Sequence, residues 1–301
     1  MNTQKTLIVI GGPTASGKTA LSVSLAKTLD CSILSADSRQ FFNELSIGTA
    51  KPSLVEMGGI KHYFIDSHSI QEDYTSGQFE HDALAILEDE FKEKDYAILV
   101  GGSGLYIDAV CKGIDDLPRN EEIRNQLNKE FEENGLANLQ KELNEKDSSY
   151  YSMIDIQNSH RIIRALEVIL ESGKKMSDFQ KNKPKERPFS IHYFAIDHLR
   201  SKLYEKIDNR VIQMVQNGLI DEVKNVQQFR GKQALNSVGY KEVFMYLDNQ
   251  ISKEEMIGLI QQNTRRYAKR QITWFKREKS TLWLDGTSPE RWINTILNKI
   301  D

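Results

Sequence analysis

"IVIGGPTASGKTALSVSLAK", residues 8–27, decides the fold. A short apolar run enters a glycine-rich turn ending in Gly17-Lys18-Thr19, and an amphipathic helix follows. Gly12 to Thr19 fits G-x-x-x-x-G-K-[ST] and lies between strand and helix, as that pattern requires. Its glycines let successive N–H groups point at anionic oxygens, and the helix N-terminus adds partial positive charge. Gly12, Pro13, Thr14, Ala15, Ser16 and Gly17 are therefore expected to cradle a di- or triphosphate. Lys18 supplies a full charge, and the Thr19 hydroxyl a ligand for Mg²⁺.

Outward from this stretch, strand and helix signals alternate. Strands are expected at 7–10, 31–36, 62–66 and 96–100, with helices over 17–29 and 76–92. Continuous apolar strands separated by helices indicate a parallel sheet covered on both faces. From about 119 to 186 only charged helix patterns occur, and strand signals return at 189–197 and 281–285. The reading is an α/β fold, a P-loop NTPase-like parallel sheet flanked by helices, with an inserted all-helical domain. The core spans 1–118 and 187–301, and the insertion 119–186.

The 301 residues support a core without disulfide or metal staples. Cys31 and Cys111 alone make no disulfide framework or zinc cluster, which suggests a reducing cytoplasm. The first ten residues are too short an apolar run for a signal peptide, and no stretch approaches the roughly 20 apolar residues of a membrane span. A net charge of −3 hides two basic segments: 261–280, with seven Lys/Arg against one Glu, and 174–187, with six against two acids. These are either solvated helix faces or a polyanion footprint.

A phosphate-hydrolysing or kinase site usually adds a strand ending in Asp to hold the metal. Here "YAILVGGSG" ends in Gly-Gly-Ser, and the carboxylate at a strand end near the cradle is Asp37 in "SILSADSRQFF". Sheet ligands sit beyond the carboxyl ends of strands, so Asp37 should face the phosphates, unless it merely caps the following turn.

At this point the chain resembles bacterial tRNA dimethylallyltransferases, also called tRNA isopentenyltransferases. "GPTASGKTAL", "ADSRQFF…IGTAKP", "GGSGLYIDAV", "RALEVILESGK", "SVGYKE" and "AKRQITWFK" occur in that family's order, from Gly12 to Phe275. The resemblance implies transfer of a dimethylallyl group from dimethylallyl diphosphate to N6 of adenine 37 in the tRNA anticodon loop, with diphosphate as leaving group. The cradle, with Lys18 and Mg²⁺ at Thr19, would then neutralise charge on the departing group. Asp37 matches the family's catalytic aspartate, drawing a proton from the weakly nucleophilic amine. An unperturbed Asp pKa of about 3.9 would keep it ionised at pH 7. Ser103 stands where the family often has Thr and is expected to bond a phosphate oxygen, to cap the next helix, or both. Ser38 and Gln40 follow Asp37 on the acceptor side, with the Gln40 amide either reading the adenine edge or facing solvent. Lys51 shapes the acceptor or phosphate side, or simply a turn fixed by Pro52.

The chain departs from several members at Asn236, where they place an arginine two residues before "VGY" that contacts pyrophosphate. Arg161, Arg164, Arg265 and Arg266 are possible substitutes. A helix over about 252–277 would carry Arg265, Arg266, Lys269 and Arg270 toward tRNA, with Met256, Ile260, Tyr267 and Trp274 on its apolar stripe. Phe41 either stacks on the extruded adenine or belongs to the core. The implied partner is a tRNA anticodon stem-loop and the implied enzyme a cytoplasmic monomer. Two alternatives are an adenylate isopentenyltransferase acting on AMP or ADP and a P-loop small-molecule kinase.

Overall fold

β1 (Thr6–Gly11) is buried at every position, and Leu7, Ile8, Val9 and Ile10 have no exposed surface. Each such side chain stabilises the fold by about 1.5–3 kcal/mol. The structure is a computed structural model and describes residues 4–115, 117–179 and 184–300. The chain divides into two compact units, Met1–Lys112 with Glu186–Asp301, and Gly113–Lys185.

In the first unit β1 leads into α1 (Lys18–Leu29), β2 (Ile33–Ser35), α2 (Leu54–Met57), β3 (His62–Tyr63), α3 (Ser76–Glu93), β4 (Tyr96–Val100) and α4 (Gly104–Lys112). β3 is shorter than the expected 62–66 because Phe64 and Asp66 take left-handed φ values of 62° and 50°, which turn the chain off the ladder. α3 begins with a capping box between Thr75 and Gln78.

The second unit contains α5 (Glu121–Asn134), α6 (Leu136–Lys146), α7 (Ser148–Met153), α8 (Ser159–Ser172) and α9 (Met176–Phe179), and starts at Gly113 instead of 119. It has its own core, with Leu139, Leu143, Ile162 and Leu166 fully buried. Glu167, also fully buried, takes Arg124 at 2.6 Å and Arg164 at 3.0 Å. Of the basic segment 174–187, residues 180–183 lie outside the described residues.

The chain re-enters the first unit at β5 (Ser190–Asp197), followed by α10 (Arg200–Gln216), α11 (Leu219–Asn225), α12 (Tyr240–Leu247), α13 (Lys253–Phe275), β6 (Leu282–Asp285) and α14 (Trp292–Ile300). All sheet pairings are parallel, in the order β3-β2-β4-β1-β5-β6. The turn after β1 thus opens near the middle of the sheet, between the ends of β4 and β5 and one strand away from β2, where parallel sheets bind ligands.

Candidate active site

The loop after β1 binds anions through backbone geometry. Gly17 caps α1 at φ 93° with no side-chain cap, so the first-turn amides of the helix are left to a ligand. Ala15 is held at φ 62°, a conformation that costs an L-residue about 1–2 kcal/mol and shapes the turn. Thr14 to Thr19 line a cavity of about 880 Å³, while Gly12 and Pro13 are buried and do not line it. The Ser16 hydroxyl is buried without a protein partner, as suits a phosphate-binding oxygen. Lys18 Nζ donates to the Pro13 carbonyl at 2.6 Å. Burial, and then the positive Arg210, lower the Lys18 pKa to about 7, against an opposing pull from Asp37.

Asp37 follows β2 and lines the same cavity. Its Oδ1 accepts the Arg39 backbone N–H at 3.0 Å, so it caps its own turn and also faces the cradle. Burial raises its pKa despite that bond and the positive Lys18, Arg39 and Arg210. The unperturbed value expected from sequence is therefore corrected, because the surrounding protein desolvates the carboxylate.

Several sequence candidates have structural duties. Ser103 does not line the cavity; its Oγ accepts the Ser38 N–H at 3.0 Å and fixes the loop that carries Asp37. Gln40 lines the cavity, but its amide accepts from Ser35 Oγ and donates to the Thr49 and Ala50 carbonyls, each at 3.2 Å. It staples the "IGTAKP" loop. Lys51 is turned inward, bonding the Phe42 carbonyl and pairing with Asp66. Phe41 is 1 % exposed and packs edge-on against Phe42 and Tyr74, so it belongs to the core.

The arginine candidates separate in the same way. Arg164 donates to the carbonyls of Leu117 and Pro118 and pairs with Glu167, all within the helical unit, and Arg161 is exposed on the same helix. Arg265 pairs with Asp208, and Arg266 bonds Asn263. Neither lines the cavity. Arg210 on α10 does line it, and its charge acts on both Asp37 and Lys18. The sequence reading missed it because it lies within an ordinary charged helix, nearly two hundred residues beyond the cradle. Asn236 also lines the cavity.

α13 turns one face to the cavity through Ile260, Asn263, Thr264, Tyr267, Arg270 and Gln271, a spacing of three and four residues. Its buried stripe is Met256, Ile260, Ala268, Gln271 and Phe275. Tyr267 and Trp274, expected on that stripe, are only partly buried. Lys269 and Arg270 are exposed. Among the described residues no cluster of three His, Cys, Asp or Glu could hold a metal. A hard cation would therefore rely on Thr19 and the oxygens of a bound phosphate.

The sequence model described as "IPP transferase" matches residues 40–278. The chain is 45% identical to a tRNA dimethylallyltransferase of Cytophaga hutchinsonii over 280 residues, covering 93% of this chain and 92% of that one. It is similar to the crystal structure of the tRNA isopentenylpyrophosphate transferase of Bacillus halodurans, with 34% identity, a TM-score of 0.72 and 99% and 97% of the two chains covered. A eukaryotic dimethylallyltransferase acting on tRNA aligns with 25% identity and a TM-score of 0.80, over 96% of this chain and 75% of the other.

Proposed function

The chain belongs to the IPP transferase family, and we propose that it moves a dimethylallyl group from dimethylallyl diphosphate to N6 of adenine 37 in a tRNA anticodon loop, releasing diphosphate. The observation that carries this reading is one cavity lined by Lys18, Arg210 and Asp37, two cations for a leaving anion and a carboxylate with a raised pKa.

The donor's diphosphate lies against the α1 amides, the Ser16 hydroxyl and Lys18. Arg210 supplies the charge that the Asn236 amide cannot. As the donor's C–O bond breaks and the N6–C bond forms, the amine proton passes to Asp37. Oδ1 is oriented by the Arg39 amide, and the raised pKa makes the carboxylate a stronger base than a solvated one. Thr19 would hold Mg²⁺ beside the cradle, and the ion would supply further positive charge there. Arg270 and Lys269, exposed on the helix that lines the cavity, meet RNA phosphates.

Two rival readings lose ground on specific points. β4 runs into Gly101-Gly102 and brings no strand-end carboxylate for a kinase metal. The match to the tRNA enzymes of Cytophaga hutchinsonii and Bacillus halodurans runs over nearly their whole length, which favours an RNA acceptor over AMP. No helix among the described residues is long and apolar enough to cross a membrane.

The test is transfer of label from dimethylallyl diphosphate with Mg²⁺ to three acceptors: an anticodon stem-loop with adenine at position 37, the same loop with guanine there, and AMP. Label in the adenine loop alone is the expected result. Label in AMP would reassign the acceptor, and label in none would remove the transferase reading.

A further inference from the structure

Gln271 is buried in a helix whose neighbouring residues, Lys269 and Arg270, are exposed cations. Its Oε1 accepts the Thr14 backbone N–H at 2.9 Å, and its Nε2 donates to the Gly102 carbonyl at 3.0 Å. One amide therefore joins the phosphate cradle to the loop after β4. A Cβ at position 102 would lie 2.0 Å from Gln271 Nε2, so any side chain there must push the Gln271 amide aside. On either side, a Cβ on Gly11 would strike Phe275 at 2.1 Å, and one on Gly104 would strike Trp274 at 2.2 Å. The run Gln271 to Phe275 is thus seated directly on three glycines: Gly11 closing β1, Gly102 in the loop after β4, and Gly104 opening α4.

We propose that Gln271 is a positioning residue for the donor: it takes the Thr14 N–H out of phosphate binding and fixes the cradle's first turn against the β4 loop. The donor is then held by Ala15 to Thr19, and Thr14 serves as the anchored rim. This rests on the transferase reading for the identity of the donor, but inorganic pyrophosphate probes the clamp without any transfer. An amide suits this joint better than a charged or hydroxyl side chain, because it offers a fixed acceptor and a fixed donor to two backbone groups of opposite kind. Breaking it strands a half-buried N–H and a buried C=O together.

Two variants attack the joint from opposite sides. Gln271→Met keeps the volume and removes both bonds. Gly102→Ala keeps Gln271 and displaces its Nε2. Each should raise the donor KM roughly tenfold, the weight of one or two buried hydrogen bonds. The KM for the anticodon stem-loop should stay within about twofold, because Lys269 and Arg270 keep their exposed placement. Equal weakening of donor and acceptor, or an unchanged donor KM in folded protein, would overturn the assignment.

A second measurement uses the wild-type chain and needs no turnover. Residue-resolved amide exchange should show Thr14 protected before ligand is added, with pyrophosphate and Mg²⁺ slowing Ala15 to Thr19 but not Thr14. A Thr14 amide that exchanges rapidly and is slowed by pyrophosphate would make it a phosphate ligand and refute the clamp. Failure of transfer in the wild type, with this exchange pattern intact, would count against the function and leave the clamp standing.

Discussion

The Tyr240 hydroxyl donates to Glu222 at 2.7 Å, and the same carboxylate accepts the backbone amides of Ser46, Ile47 and Gly48. A side chain from α11 and one from α12 thereby hold the turn that brings Gly48, Thr49 and Ala50 to the cavity wall. Glu222→Ala should cost on the order of 3 kcal/mol, since hydrogen bonds to a charged group are lost and their donors stranded. Gly48→Ala should cost about 1–3 kcal/mol by overpacking, because its Cβ would sit 2.6 Å from the Tyr240 ring. Thermal melting checks both, and a shift of less than a degree for either would contradict this account of the turn.

Asp37→Asn should lower kcat by roughly 10²–10⁴-fold, the usual contribution of a general base, while leaving pyrophosphate affinity nearly unchanged. The same substitution has a stability consequence with a definite sign. A carboxyl whose folded pKa is raised binds more protons in the native state, so the wild type loses stability as pH rises through that window and carries the whole loss above it. The Asn variant should therefore melt at least as high as the wild type at pH 8, and its advantage should vanish in acid. A variant with near-normal kcat would take Asp37 out of the base role.

Lys18 gives a pH dependence with a number attached. With a pKa of about 7 in the unliganded cavity, it is mostly neutral at pH 8, and a bound diphosphate would recharge it. Pyrophosphate binding should then take up a proton at pH 8 and almost none at pH 6, read by calorimetry in buffers of different ionisation enthalpy. Lys18→Met should abolish the difference. The sign for stability is opposite to the Asp37 case: the folded pKa lies below the ordinary lysine value, the unfolded chain binds more protons between them, and stability rises with pH across that range.

Arg210→Ala should raise the donor KM by about ten- to a hundredfold, as expected for losing a half-buried cation from an anion site. Asn236→Ala should change it by less than threefold. Steady-state kinetics on both variants separates them, and the reverse ranking would return the leaving-group role to Asn236.

Much of the catalytic unit was legible in order and spacing. Gly12 to Thr19 locates the cradle, the apolar runs locate the strands, and Asp37 sits at a strand end as a ligand-facing residue should. What local pattern could not supply is where a side chain ends up after packing. Gln40 and Lys51 look like acceptor contacts until their polar atoms are seen to be taken by backbone carbonyls and Asp66. Arg210 and Gln271 look like ordinary helix residues until distant loops arrive beside them. The burial that raises the Asp37 pKa comes from segments far apart in the chain. Tyr267 was misassigned because α13 has a cavity face adjoining its core face, and both repeat with the same helical spacing.

The helical unit leaves the chain at Gly113 and closes at Lys185, and these two ends touch: a Cβ on Gly113 would lie 2.4 Å from the Lys185 side chain. A segment that departs and returns at one point, with its own buried core, behaves as a cassette. Genetic change can lengthen, shorten or exchange it without altering the span between the flanking elements of the sheet. Sequence change can therefore accumulate in this segment while the cradle after β1 is inherited intact.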